Sequence, residues 1–328
     1  MANTPVPTKE ILVDIYRRAT LIKQNDERFR SVIKSGKLAM VFYSPRGQEI
    51  IPSAISANLT DADYIVTIYR GVHDMLAKGI PLKLLWAEFA GRATGACKGK
   101  GGPMHVTHPA TGIMVTTGIV GASLPIANGL ALAAQVRSEK RVAIAYFGDG
   151  ASNIGAFHEA LNMASIWKLP VVFVCQNNKY GEHTKLAYST AVPNIALRAV
   201  AYGMPGVTVD GNDPLAMYAV ANEAIERARS GGGPTLIEAN TFRFFGQVLG
   251  DNDAYMDKGE KAAAMARDPV PSFRAWLIAA GYAKEAELSA MEMAIEREID
   301  EAVEFTLASP YPDPAELRRD VYEKELSA

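Results

Sequence analysis

Two nearly unbroken apolar runs, at 141–147 and 170–176, dominate the hydrophobic pattern. Their length and β-branched content predict strands buried on both faces of a sheet. A helical pattern at about 153–167 separates them. The alternation then continues with a helix at about 193–202, a strand at 207–209, a helix at about 214–230 and a strand at 235–243. Helical stretches between short apolar runs predict βαβ units, hence a parallel sheet with right-handed crossovers.

Upstream, apolar residues at helical spacing over 9–37 (Ile11, Leu12, Ile15, Tyr16, Leu21, Ile22) predict a long surface helix. A second helix opens at Gly47-Gln48-Glu49 and runs to Asn58. A short strand at 64–68 ends in Tyr69-Arg70-Gly71, and the glycine-rich stretch 98–103 is predicted as a loop. The apolar stretch 118–136 contains Ser123, Pro125, Asn128 and three glycines, which suits a close-packed internal helix better than a membrane span. Residues 246–271 are polar, lack a strand pattern and exceed an ordinary connection, which marks a functional or mobile segment. Beyond them, 271–307 is helical, 309–314 is extended, and a last short helix closes the chain. The expected architecture is a single α/β domain over 1–328. It has a doubly wound parallel sheet flanked by helices, with helical extensions at both ends; the C-terminal one spans 272–328.

Composition narrows the function classes. A formal net charge of -2 argues against wholesale binding of nucleic acid or an acidic membrane. Cys97 and Cys175 lie far apart without a CxxC motif, and the N-terminus has neither a signal core nor a transit pattern. A cytoplasmic protein in a reducing compartment is expected.

Candidate chemistry lies where the two central strands stop. Gly148-Asp149-Gly150-Ala151 ends one run and Asn177-Asn178 ends the next. In doubly wound sheets ligands bind outside the carboxyl ends of strands. Asp149 supplies a carboxylate for Mg²⁺, Asn178 an amide oxygen and Tyr180 a backbone carbonyl, with phosphate oxygens and water completing an octahedral shell. Glycines let the backbone approach a phosphate, and a following helix presents free N–H groups to it. Gly-Asp-Gly alone is a weak signal, more often a plain turn; its pairing with Asn-Asn on the next strand is much stronger. Neither a Walker pattern nor a dinucleotide fingerprint is present.

The combination resembles the diphosphate-binding motif of thiamine diphosphate enzymes. Further stretches are similar to alpha subunits of the dehydrogenase component of 2-oxo acid and acetoin dehydrogenase complexes. They include Gly47-Gln48-Glu49, Tyr69-Arg70-Gly71, 99–105, Gly118-Ile119-Val120-Gly121, 162–170, Arg267-Asp268-Pro269 and 309–314. The resemblance spans nearly the whole chain in order. It implies thiamine diphosphate and Mg²⁺ as cofactors, with Asp149, Asn178 and Tyr180 on the metal. It places Gly150 and Ala151 on the diphosphate through backbone N–H, Tyr69 and Arg70 on phosphate oxygens, and Gly118 and Val120 on the aminopyrimidine. A beta subunit in an α2β2 assembly would supply the activating glutamate, so this chain alone is expected to be inert. A lipoyl-bearing acyltransferase would receive the acyl group after C–C cleavage of a small oxo acid or acyloin.

Departures from the family pattern bear on the donor. Tyr43 and Gln247 stand where many members have histidine, and Val72 replaces the histidine after Tyr-Arg-Gly. Gln247 keeps a hydrogen-bond donor beside the diphosphate but carries no charge. These losses tilt the donor toward a neutral acyloin or an unusual oxo acid, with His73 and His105 as substrate-pocket candidates. His158 reads as a packing or hydrogen-bonded histidine. Val248 replaces the family's regulatory serine, so no phosphorylation control is expected there. Two other readings stay open: a carboligase or transketolase-like enzyme without a lipoyl acceptor, and a non-catalytic regulatory subunit.

Overall fold

The structure, a computed structural model, describes residues 7–321. Residues 1–6 and 322–328, the outer ends of the expected domain and of its C-terminal extension, lie outside the described part.

Strands β1 (Tyr64–Ile68), β2 (Ile113–Thr117), β3 (Ala143–Gly148), β4 (Val171–Asn177), the hairpin β5 (Tyr180–Gly181) and β6 (Thr184–Lys185), β7 (Gly206–Asp210) and β8 (Thr235–Asn240) follow in chain order. Six of them form one sheet in the order β2-β1-β3-β4-β8-β7, every pair parallel. The chain leaves β1 toward one edge and β3 toward the other, so the order reverses between β1 and β3. A crevice opens at that point.

The helices are α1 (Lys9–Lys34), α2 (Ile50–Ser56), α3 (Val72–Lys78), α4 (Leu82–Phe89), α5 (Ser123–Val136) and α6 (Gly155–Ile166). There follow α7 (Leu186–Ser189), α8 (Pro214–Arg229), α9 (Lys258–Ala266), α10 (Pro269–Ala279) and α11 (Glu285–Ala308). Alternating strand residues face two cores, as the period of two requires. Ile144, Tyr146, Val172 and Val174 pack with helices α1–α4, α8, α10 and α11. Ala143, Ala145, Phe147, Val171 and Phe173 pack with α5, α6 and the 3₁₀ turn Ile195–Tyr202. In the first core Phe29 stacks on Trp86 at 3.6 Å between centroids, and the Trp86 indole N–H donates to Asn25 Oδ1 at 2.9 Å. That contact ties α1 to α4.

Several expectations need correction. The helix expected at about 193–202 is a 3₁₀ helix over Ile195–Tyr202 rather than an α-helix. The helix expected from 118 begins at Ser123, because Gly118–Ala122 turn away from the end of β2. The last strand stops at Asn240, and Arg243 lies beyond it. The segment 246–271 carries α9 and the start of α10. The helix over 271–307 is two helices, broken at Gly281. Among the described residues no helix is long and apolar enough to cross a membrane.

Candidate functional site

At the reversal point lies a cavity of about 240 Å³. Its floor is the carboxyl ends of β1, β3 and β4. Its wall is the segment after β8 and the β5–β6 hairpin. Tyr69, Arg70, Val120, Asp149, Gly150, Ala151, Asn178, Tyr180 and Gln247 all line it. A larger, open cleft of about 1060 Å³ separates the glycine-rich loop from the C-terminal tail. The smaller cavity carries the chemistry, because the buried charges converge there.

Gly148 ends β3, and Asp149–Asn153 make a 3₁₀ turn before α6, with the Ser152 hydroxyl donating to the Asp149 carbonyl at 2.8 Å. Burial pushes the Asp149 carboxyl up to about 6, partly offset by its backbone hydrogen bond and by Arg243 and Lys179. Its Oδ2 is buried without a hydrogen-bond partner. A bare carboxylate oxygen in such a place calls for a cation. Asn178 stands beside it in the cavity lining, oriented by donation of its amide to Gln48 Oε1 at 3.1 Å. Its own Oδ1 accepts the Tyr180 N–H at 3.3 Å. One carboxylate, one amide and a nearby carbonyl make a hard oxygen donor set. Among the described residues there is no histidine, cysteine or carboxylate cluster of the kind that holds a softer metal. These residues fit Mg²⁺.

A diphosphate would meet two buried guanidinium groups. Arg70 donates to Ser44 O at 2.8 Å and to Gln247 O and Oε1 at 2.9 and 3.0 Å. Arg243, absent from the sequence-based expectations, donates to Gln247 Oε1, to Glu182 O at 2.9 Å and to the Tyr255 hydroxyl at 3.0 Å. Burial and then the neighbouring Arg243 pull Arg70 down to about 10. Both line the cavity with no carboxylate hydrogen-bonded to either, an arrangement that an anion would relieve. Gln247 spans the pair, and its amide donates to the Tyr69 hydroxyl at 2.7 Å. The hairpin meets the 149–153 turn at glycines: a Cβ on either Gly150 or Gly181 would sit 3.1 Å from the other's Cα.

Three predicted residues lie elsewhere. His73 is not a pocket residue. It is fully buried on α3, its Nδ1 faces the Arg70 carbonyl at 3.2 Å, and burial with nearby Arg70 pushes its pKa down to about 3. Gly118 and His105 lie outside the small cavity and next to each other; a Cβ on Gly118 would sit 3.7 Å from the His105 ring. His105 lines the open cleft instead. His158 is exposed and bonded to the Tyr202 hydroxyl. Tyr43, in the place of a family histidine, packs edge-on against Tyr69 at 4.7 Å. Besides Arg243, reasoning from the sequence missed Gln48, although its Gly-Gln-Glu motif was the available signal. Arg243 gave none beyond following a strand end.

A doubly wound parallel sheet with a polar, charge-lined cavity at its reversal point defines a ligand-binding α/β protein. Comparison with known proteins agrees: residues 16–315 match the dehydrogenase E1 component family, and the chain belongs to it. It is 42% identical to the alpha subunit of acetoin:2,6-dichlorophenolindophenol oxidoreductase of Bacillus subtilis, covering 96% of this chain and 94% of that one. The protein of the same description from Cupriavidus necator is 39% identical, covering 96% and 95%. The pyruvate dehydrogenase E1 component subunit alpha of Porphyra purpurea is 35% identical, covering 96% and 94%. Members of this family are thiamine diphosphate-dependent oxidoreductases.

Proposed function

We propose that this chain is the alpha subunit of a heteromeric acyloin dehydrogenase component, with acetoin or a close relative as donor. It would bind Mg²⁺ through Asp149, Asn178 and the Tyr180 carbonyl. The diphosphate would be held by Arg70, Tyr69, Gln247 and the N–H groups of Gly150 and Ala151, while Gly118 and Val120 would meet the aminopyrimidine. When bound, thiamine diphosphate would supply a nucleophilic carbon and an electron sink for cleaving the C–C bond next to the donor carbonyl. The protein orients the cofactor and neutralises its charge. A beta subunit would complete the site in an α2β2 assembly. A lipoyl-bearing acyltransferase would take the acyl group, and the complex would work in the cytoplasm. The segment 246–271 would cover the diphosphate.

The observation that carries this reading is the partnerless, buried Asp149 Oδ2 facing a cavity with two buried arginines. The neutral donor is supported by the uncharged Tyr43, Val72 and Gln247 and by the acetoin relatives at 42% and 39% identity. Asp149→Ala in the reconstituted α and β pair is expected to abolish Mg²⁺-dependent cofactor binding by calorimetry while circular dichroism stays unchanged. Retained binding would reject the assignment. Dye reduction by the wild-type pair should be faster with acetoin than with pyruvate, and the reverse order would move the donor to a 2-oxo acid.

A further inference from the structure

The glycine-rich loop between α4 and β2 has almost no regular structure, yet its backbone converges on one side chain. Glu88, on α4 and fully buried, accepts the N–H of Cys97 at 2.7 Å and of Gly99 at 2.9 Å through Oε2. Through Oε1 it accepts Gly101 at 2.7 Å and Gly102 at 3.1 Å. A carboxylate thus sits where successive backbone N–H groups form an anion nest, and it carries four charge-assisted bonds. The loop's outer face meets the tail through Lys98 and Lys100, which pair with Asp320 and Glu316, and through Lys100 donating to the Glu316 and Arg319 carbonyls. These pairs lie at the surface, where solvent and salt screen them, and contribute little. The inner carboxylate therefore decides the loop's shape.

That shape sets what the loop delivers. After Gly102 the chain passes through a 3₁₀ turn to Met104 and His105. Both reach Gly118: a Cβ there would sit 3.6 Å from Met104 Sδ and 3.7 Å from the His105 ring. The return is close-packed, since a Cβ on Gly101 would lie 2.2 Å from the His105 carbonyl oxygen. Val106 N–H donates to Thr116 Oγ1 at 2.6 Å, which docks the loop's end on β2.

We infer that Glu88 is a positioning residue of the active site, folding the 97–102 loop around its carboxylate so that Met104 and His105 are held against Gly118, the proposed aminopyrimidine contact. It touches neither donor nor cofactor and acts through His105. This rests on the proposed function for what the loop faces, but not for how the loop is held.

The test uses the reconstituted heteromer and three readouts: amide hydrogen exchange over 97–102, cofactor affinity by calorimetry, and steady-state turnover of the acyloin. Glu88→Gln turns one acceptor oxygen into a donor facing two N–H groups, and the four amides should exchange at least ~10-fold faster. Turnover efficiency, kcat/KM, should fall about 10- to 100-fold, the scale of an ångström-level misplacement. Cofactor affinity should change less than about 3-fold, because none of its proposed holders contacts Glu88. Adding Glu88→Gln to His105→Ala should cost nothing more than His105→Ala alone. Gly101→Ala, which leaves the carboxylate in place and crowds the loop, should reproduce the kinetic loss and serves if Glu88→Gln does not fold. Unchanged exchange in Glu88→Gln, losses that multiply in the double variant, or normal turnover in Gly101→Ala would each overturn the inference. If the wild-type heteromer turned over no acyloin at all, the functional reading would fail, while the exchange comparison would still decide how the loop is held.

Discussion

Gln247 occupies a position between Arg70 and Arg243 that an anionic oxygen would fill more favourably. Its single carbonyl oxygen accepts from both guanidinium groups. A neutral acceptor shared by two buried cations leaves them under-neutralised, and a diphosphate bound as proposed would correct this. Arg243→Met and Arg70→Met should each weaken cofactor binding about 10- to 100-fold, the range for losing one hydrogen bond to a charged group. Binding within 2- to 3-fold of wild type in Arg243→Met would show that this arginine only anchors the hairpin. Beneath Arg70 lies a second buried pair with opposite linkage. Burial pushes Asp74 up to about 7, and burial with Arg70 pushes His73 down to about 3. Between about pH 4 and 7 folded Asp74 keeps a proton that the unfolded chain has lost, so its contribution falls as pH rises. Between about pH 3 and 6.5 unfolded His73 takes up a proton that the folded chain refuses, so its contribution rises with pH. The two slopes nearly cancel in the wild type. Asp74→Asn should unmask the histidine, with stability climbing by up to about 1.4 kcal/mol per pH unit from pH 4 to 6.5. Thermal midpoints across that range check it, and a flat profile in Asp74→Asn would remove the pairing.

Elements meet the cavity through tight backbone crossings rather than through side chains alone. Gly47, at φ +96°, passes so close to the segment after β8 that a Cβ would sit 2.1 Å from the Phe242 carbonyl oxygen. The crossing places Gln48 against Asn178 and is braced by buried Arg46, which pairs with Glu49 and Asp268. Gly47→Ala combines a disfavoured φ with overpacking and should destabilise by about 2–4 kcal/mol. A chemical denaturation midpoint within error of wild type would contradict this crossing. The same geometry explains what the sequence could reveal. The buried strands β1, β3 and β4 and the motifs at their ends were legible because apolar runs and punctuating glycines are local signals. Edge strand β2 (Ile-Met-Val-Thr-Thr) was not, since its pairing partner is distant in sequence, and the hairpin strands, which pair with each other, are too short at two residues to show a period. Helices α3 and α4 were overlooked because they are buried nearly all round and show little polar face. Arg243 is invisible for a related reason: only the tertiary approach of the post-β8 segment to Arg70 turns an ordinary arginine into half of a buried guanidinium pair. His73 was misread in the opposite sense, its position near Arg70 suggesting a pocket that the start of α3 turns away from.

At the scale of the whole molecule, the cavity is unfinished. Its sheet provides one α/β unit, and at the mouth Ile119 and Val120 stand 70% and 49% exposed. The layer behind them continues the pattern. Helices α5 and α6 and the neighbouring 3₁₀ turn present Val136, Met163, Ile166, Trp167, Leu197 and Val200 to solvent. Scattered apolar residues need no explanation, but six exposed on one helical layer of the sheet mark a candidate contact surface. In an assembly with a beta subunit this layer should be covered, and the chain alone should turn over nothing. Tryptophan emission can follow both. Of the three tryptophans Trp86 is already buried, whereas Trp167 and Trp276 are 46% and 36% exposed. Trp276 stacks between Phe273 and Tyr282 on α10, in the other core layer. Titrating beta subunit into a Trp276→Phe variant should therefore shift emission to the blue in step with the appearance of activity, and Trp167→Phe should abolish the shift but not the activity. Activity that appears with no change in Trp167 emission would mean that the second subunit closes the cavity from the Ile119 side without reaching α6.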